Sequence, residues 1–287
     1  MSDTLYIIGN GFDMYHGLNT SYANFRDSQA KKSQQLWRLL TTIYGDAPNQ
    51  DMWWWSFEEM LGRIDYNHLM NSYNGMTLSP TMVNNLLKGM LPPLFSKWIR
   101  TKQLEIIQLR PMLADVIVPT SLFFSFNYTP LLETVYNIDK ANIWHIHHSI
   151  EDEKKGKGQI IVGHDSDERK LFLDFLEYEK ENLVIRKDIA GNIRTMAANG
   201  AKGVANRIYR HKEEFYQRYS NIKHYVAMGF SFNDIDLPYI EQIVRVNGNI
   251  APADWKVYWH SDGEDELMKK KLMIVGVNEN VINTIKW

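Results

Sequence analysis

Thr4-Leu5-Tyr6-Ile7-Ile8 runs directly into Gly9-Asn10-Gly11. A short apolar run cut off by glycines reads as a buried strand entering a tight turn. Apolar side chains at successive positions cover both faces of such a strand, as happens in the middle of a parallel sheet. The pattern therefore predicts Thr4 to Ile8 as a central strand.

The rest of the chain is read outward from it. From Ser21 to about Leu109 the apolar spacing is helical. Phe25, Leu36, Leu39, Leu40 and Ile43 mark one helix. Trp55, Met60, Leu61 and Ile64 mark a second. A third runs from Met82 to Ile107, broken at Pro92-Pro93. Beyond it strands and helices alternate. Ser121 to Phe126 predicts a strand, Pro130 to Tyr136 a helix and Asn142 to Ile146 a strand. After a lysine-glycine turn at 154–158, Gln159 to Val162 predicts another strand. Arg169 to Tyr219 is helical, interrupted at Gly191 and Gly200. His224 to Met228 and Lys256 to Trp259 are strands, followed by helices at Leu237 to Val246 and Glu264 to Leu272. Alternation of this kind predicts an α/β fold: a Rossmann-like, doubly wound, mostly parallel sheet. Residues 1–287 are expected to form one such domain, with residues 21–113 as a helical insertion after the first strand. That insertion is expected to cover the sheet's carboxyl edge.

Thirty-two basic residues against thirty-four acidic ones give a net charge of −2. No overall positive field attracts nucleic acid or an anionic membrane. With no cysteine, disulfide frameworks, zinc ribbons and thiol nucleophiles are excluded. The polar opening Met1-Ser2-Asp3-Thr4 does not resemble a signal peptide. The most apolar later run, Val116 to Phe126, is interrupted by Pro119 and too short for a bilayer. A cytoplasmic protein without membrane contact is expected; self-association is left open.

In a parallel sheet, ligands bind beyond the carboxyl ends of the strands. Polar residues and glycines gather there: Gly9-Asn10-Gly11-Phe12-Asp13, Asn127-Tyr128-Thr129, His145-Ile146-His147-His148, Gly163-His164-Asp165 and Gly229-Phe230-Ser231-Phe232-Asn233-Asp234. The first turn has the makings of a phosphate cradle, since glycines admit close backbone approach; the alternative is a tight turn without a ligand. Met14 stands where a dinucleotide fingerprint has its third small residue, and no acid-ended second strand follows, which disfavours a dehydrogenase. No Gly-Lys-Ser/Thr follows, which excludes a P-loop.

Strand alternation puts His145 and His147 on one face and His148 on the other. The pair suits a metal, with His164 and Asp165 completing the ligands and Asp236 as a further donor. Either histidine also suits general-base work. His16, His68, His211 and His260 read as packed or solvated. Trp53-Trp54-Trp55 reads as core, and Glu58 as a first-turn acid or a polar partner of the site.

The run Ile7-Ile8-Gly9-Asn10-Gly11-Phe12-Asp13-Met14-Tyr15-His16-Gly17-Leu18-Asn19-Thr20-Ser21-Tyr22 resembles the opening signature of AbiH, a family of bacterial abortive-infection proteins active against phage. Trp55-Ser56-Phe57-Glu58, Phe126-Asn127-Tyr128-Thr129, Ile146-His147, Gly163-His164 and Gly229 through Asp236 look like its later blocks, in the same order. Where the family usually carries glycine after Ile-His, this chain has His148. The family is in turn distantly similar to sirtuin-type NAD-binding domains. That similarity implies NAD as ligand or substrate. It makes Asn127 the holder of a water or ribose and His147 the general base. Gly9, Asn10, Gly11 and Asp13 would line the pyrophosphate and nicotinamide-ribose side, and Gly229 and Ser231 the adenosine half. Phe12 and Asp234 complete the cofactor-binding set. Without cysteines the chain cannot build a sirtuin's zinc module, so protein deacetylation is not expected. The resemblance implies an anti-phage protein that binds NAD or a related nucleotide, hydrolyses NAD at the nicotinamide–ribose bond, and answers to a phage-derived trigger. The alternatives are a metal-dependent phosphohydrolase or nuclease built on His145, His147, His164 and Asp165, and a non-catalytic nucleotide sensor.

Overall fold

The computed structural model describes residues 2–63, 68, 89–102, 104, 107–163, 203–248 and 253–287. The chain folds as two compact units. One comprises Met1–Thr20, Thr101–Gly158 and Val204–Trp287; the other comprises Ser21–Arg100 and Gln159–Gly203.

The first unit is built on a six-stranded, wholly parallel sheet. Its strands are β1 (Thr4–Ile8), β2 (Leu122–Ser125), β3 (Ile143–His145), β4 (His224–Met228), β5 (Asp254–Trp259) and β6 (Ile282–Lys286). They lie in the order β3-β2-β1-β4-β5-β6, which is that of a Rossmann-type sheet. β1 is central, as its two-sided apolar pattern predicts. The chain winds outward one way from β1 and the other way from β4, so the topological switch point falls between these neighbours.

The connecting helices are α1 (Asn10–Tyr15), α2 (Leu131–Val135), α3 (Ile150–Lys154), α4 (Val204–Arg210), α5 (Lys212–Tyr219), α6 (Leu237–Asn247) and α7 (Glu264–Ile274). Alternate β1 side chains enter opposite cores. Leu5 and Ile7 pack with Phe124, Phe215, Tyr239, Ile240, Met268 and Leu272 of β2 and helices α5 to α7. Tyr6 and Ile8 pack with Phe12, Phe123, Leu131 and Leu132 of α1, β2 and α2. This is the doubly wound arrangement. At about 25 cal/mol per Å² of buried apolar surface, these two cores dominate the unit's stability.

The second unit is mainly helical over its described residues 21–63 and 89–100 and has an aromatic core. Trp54 stacks on Phe57 with centroids 4.7 Å apart, and Phe25 meets Phe95 at 5.0 Å and Trp98 at 5.4 Å. Trp53 and Trp54 are buried while Trp55 is 77% exposed. The tryptophan cluster is therefore core at two of its three positions. Arg26 pairs with both Asp27 and Asp51.

Several elements differ from the sequence expectation, among them β6, which the apolar pattern did not predict. Gln159–Val162 forms no strand; Ile160 and Val162 are buried, and a short apolar run cannot by itself distinguish a strand from a buried irregular segment. Pro92-Pro93 lie in the first turn of a helix, Leu91–Ile99, where proline's fixed φ and missing N–H are suited; residues 82–88 of the expected helix lie outside the described residues. The single helix expected from Phe25 to Ile43 is divided, with Gln34–Tyr44 starting afresh where the Ser33 side chain accepts from Leu36 N. The helix expected from Trp55 is also two, Asp51–Trp55 and Phe57–Leu61. The helical reading of 169–202 lies outside the described residues. No helix among the described residues is long and apolar enough to cross a membrane.

Candidate functional site

The turns after β1 and β4 meet backbone to backbone at the switch point. Gly9 N–H donates to Met228 O at 3.1 Å, and Gly11 N–H donates to Gly229 O at 2.9 Å. A Cβ on Gly11 would stand 2.7 Å from Gly229 Cα; one on Gly229, where φ is +59°, would stand 2.0 Å from Phe12 N. The glycines thus serve close packing between two turns. The Gly11 N–H, a natural donor for a cradled phosphate, is committed to a protein carbonyl. Asn10 is exposed, with its Nδ2 donating to Thr20 O at 3.2 Å. Phe12 turns its ring into the core, 4.6 Å from His16 and 5.7 Å from Tyr136. Ser231 and Asp234 are exposed on the turn after β4, and Asp234 pairs with Lys271 of α7.

Asp13 faces inward. Its side chain is 1% exposed and accepts two hydrogen bonds from the segment after β2. Asn127 Nδ2 donates to Oδ1 at 2.8 Å and Thr129 Oγ1 donates to Oδ2 at 2.7 Å. Burial pushes the Asp13 carboxyl up to about 7, against the Thr129 and Asn127 hydrogen bonds and the nearby His145 ring, while Glu133 adds to the rise.

The network continues through the Asn127 backbone. His145 Nδ1 lies 3.0 Å from Asn127 O, and its Nε2 lies 3.2 Å from Glu133 Oε1. A carbonyl only accepts, so Nδ1 carries a proton, and a carboxylate opposite Nε2 favours a second. Burial opposes charge on the ring, but the hydrogen bond and charge of Glu133 outweigh it and raise the His145 pKa. Asn127 Oδ1 is buried and meets no hydrogen-bond partner among the described residues.

His147 meets different partners from His145. β3 ends at His145 and the chain turns, with His148 N–H donating to His145 O at 3.1 Å. Strand alternation therefore does not extend to position 147. The His147 ring, 2% exposed, lies among Phe126 (5.6 Å), Tyr128 (6.4 Å) and Tyr239 (5.8 Å). Phe126 and Tyr128 are the two chain neighbours of Asn127. The Nε2 of His147 is 3.6 Å from Asp236 Oδ1 at the head of α6. Among the described residues no three His, Asp or Glu side chains converge as a metal site. His164 and Asp165, which the metal reading also needs, lie outside the described residues.

His148 takes a left-handed φ of +59°. That is the conformation glycine adopts without steric cost, so a glycine would fit this position without strain. Burial, then the nearby Arg207 charge, lowers the His148 pKa. His16 bridges Phe12 O (2.7 Å to Nδ1) and the Tyr136 hydroxyl (2.6 Å to Nε2). It is the packed histidine its sequence context predicts, neutral with the proton on Nδ1, and burial lowers its pKa.

Sequence reasoning assigned no role to Thr129, Glu133 or Arg207. Thr129 sits in the quoted block after β2, so its position was legible though its partner was not. Arg207 donates from Nη1 to Ile146 O at 3.2 Å and tethers the turn that carries His147; nothing in a one-dimensional pattern links these positions.

A family model described as Bacteriophage abortive infection AbiH matches residues 5–85 and 81–259. No curated protein matches the chain.

Proposed function

The chain belongs to the AbiH family of bacteriophage abortive infection proteins, and we propose that within it this protein binds NAD at the β1/β4 switch point and hydrolyses the nicotinamide–ribose bond. The observation that carries this reading is the buried, unpartnered Asn127 Oδ1 beside a histidine held between the two neighbours of Asn127. Asn127 Oδ1 accepts a hydrogen bond from a ribose hydroxyl or from the attacking water. Nicotinamide leaves as a neutral amide while the ribose becomes oxocarbenium-like, as in glycoside cleavage. Water adds its oxygen to the anomeric carbon, and His147 takes the proton that the water loses. Asp236, 3.6 Å away, stabilises the imidazolium so formed. The products are ADP-ribose, nicotinamide and one proton. Depletion of NAD in an infected cell accounts for an abortive outcome.

Two features support binding here. The carboxyl end of the sheet at a switch point is where doubly wound folds take nucleotides. The polar residues there are buried and wired to one another rather than scattered on the surface. With the Gly11 N–H already used, the diphosphate contacts fall to the exposed rim around Asn10 and Ser231.

The test is to incubate the pure protein with NAD and resolve the products. Asn127→Ala and His147→Ala should each lower turnover at least ~10²-fold, the low end for a lost general base. ADP-ribose at ~100 times its dissociation constant should stabilise the fold by about 2.7 kcal/mol. NAD left intact while ADP-ribose still stabilises the protein would replace hydrolysis with sensing. Full turnover in His147→Ala would remove its role as base.

A further inference from the structure

Asn127 offers a ligand only one end of its amide, and Asp13 decides which. One N–H of the amide donates to Asp13 Oδ1 at 2.8 Å, which turns the nitrogen end toward the carboxylate, and Thr129 Oγ1 donates to the other carboxylate oxygen at 2.7 Å. The Asn127 main chain is held separately, by His145 Nδ1 on its carbonyl and by its own N–H on Ser125 Oγ at 3.2 Å. With backbone and amide nitrogen both fixed, Oδ1 is the remaining atom, buried and without a partner among the described residues.

We propose that Asp13, braced by Thr129, is a positioning residue that locks the Asn127 amide with Oδ1 outward, so that the site selects a hydrogen-bond donor there, such as a ribose hydroxyl or a water, over an acceptor. This rests on the reading of Asn127 as the ligand-facing residue. The chemistry is one of complementarity. An ionised carboxylate only accepts, so it tolerates only the amide nitrogen opposite it. A protonated Asp13 can donate to Asn127 Oδ1, and the amide is then free to turn over and present its nitrogen. The groups around Asp13 are Thr129 and Asn127 from the segment after β2, the His145 ring from β3 and Glu133 from α2. His145 favours the ionised form and Glu133 opposes it. The lock is thus set by a proton on Asp13, and its release falls near neutral pH.

The experiment needs no NAD. In the ligand-free, nitrogen-15-labelled full chain, the Asn127 side-chain amide is assigned by its loss in Asn127→Ala and followed from about pH 5 to pH 9. The expected result is a single transition near neutrality, with one amide proton strongly shifted by the carboxylate on the alkaline side. Asp13→Asn should abolish the transition. Thr129→Ser should preserve it, and Thr129→Val should move it to higher pH by removing a hydrogen bond to the carboxylate. A wild-type signal that does not move with pH overturns the proposal, and so does a transition that survives in Asp13→Asn. The wild-type titration decides even where a variant fails to fold. A protein that leaves NAD intact still answers it, so the two readings fail separately.

Discussion

Gly229 sits where a methyl group would stand 2.0 Å from the backbone nitrogen of Phe12, at a φ of +59°. Two penalties coincide there, a left-handed backbone and a clash with main chain that cannot swing away. Gly276 isolates the first: its φ is +93° with nothing within 4 Å of an added Cβ. Gly276→Ala should cost about 1–2 kcal/mol, the left-handed penalty alone. Gly229→Ala should cost at least about 2 kcal/mol more, because overpacking adds to it. Urea unfolding midpoints of the two variants measure the difference, and equal losses would show that the turns can separate without harm. The same contact changes how a substitution at Gly11 reads. A side chain there disrupts the fold before it tests any phosphate, so the ligand is better probed through Asn127.

The turn after β3 shows how an element's end can matter more than its length. β3 covers only Ile143–His145, and the chain then bends so that His145 and His147 meet different carboxylates. His148 closes that bend in a left-handed conformation, and Ser149 begins α3 with a reciprocal capping box to Asp152. His148→Gly removes the left-handed strain and should raise stability by up to about 1 kcal/mol, with the His147 environment unchanged. Thermal unfolding, with the His147 ring resonances as a check, reads both effects. Lower stability in His148→Gly would mean that the packing of this half-buried ring against Gly158 outweighs backbone strain. The sequence pointed to the carboxyl end of β3 through its histidines, but the bend was hidden, since period-two alternation holds only while the strand continues.

Asp13 makes the stability of the protein depend on pH in an unusual direction for a carboxylate. Its folded pKa is raised to about 7, so between the ordinary carboxylate range and neutrality the folded state binds more protons than the unfolded chain. Stability from this group is therefore present at low pH and lost as pH rises through about 7. His145, with a raised pKa, acts in the same sense. His16, with a lowered one, acts in the opposite sense and favours the fold as pH rises toward the ordinary histidine value. Asp13→Asn cannot ionise. Its stability relative to wild type should rise from about pH 4, already favour the variant at about pH 5, and level off above about pH 7, as read by thermal unfolding at each pH. A difference that stays flat across this range would mean that Asp13 titrates at an ordinary value.

Much of the architecture was legible in one dimension because it rests on local physics. Apolar side chains on both faces of Thr4 to Ile8 require a strand covered on both sides, and alternating strands and helices require a parallel sheet. Glycines and polar residues follow β1, β2, β3 and β4 at the carboxyl edge, where doubly wound sheets take ligands. Those patterns depend on neighbours a few positions apart, and they were recovered. The strand order was not of that kind, because β1 finds its partners β2 and β4 far along the chain, and β6 lies in a polar, amphipathic stretch with little apolar signal. The wiring of the site was settled only in three dimensions. The carboxylate of Asp13 meets an amide 114 residues away in sequence, where both residues are almost wholly buried. A buried carboxylate must take whatever donors the fold brings to it, and no spacing of residues along a chain encodes which donors those are.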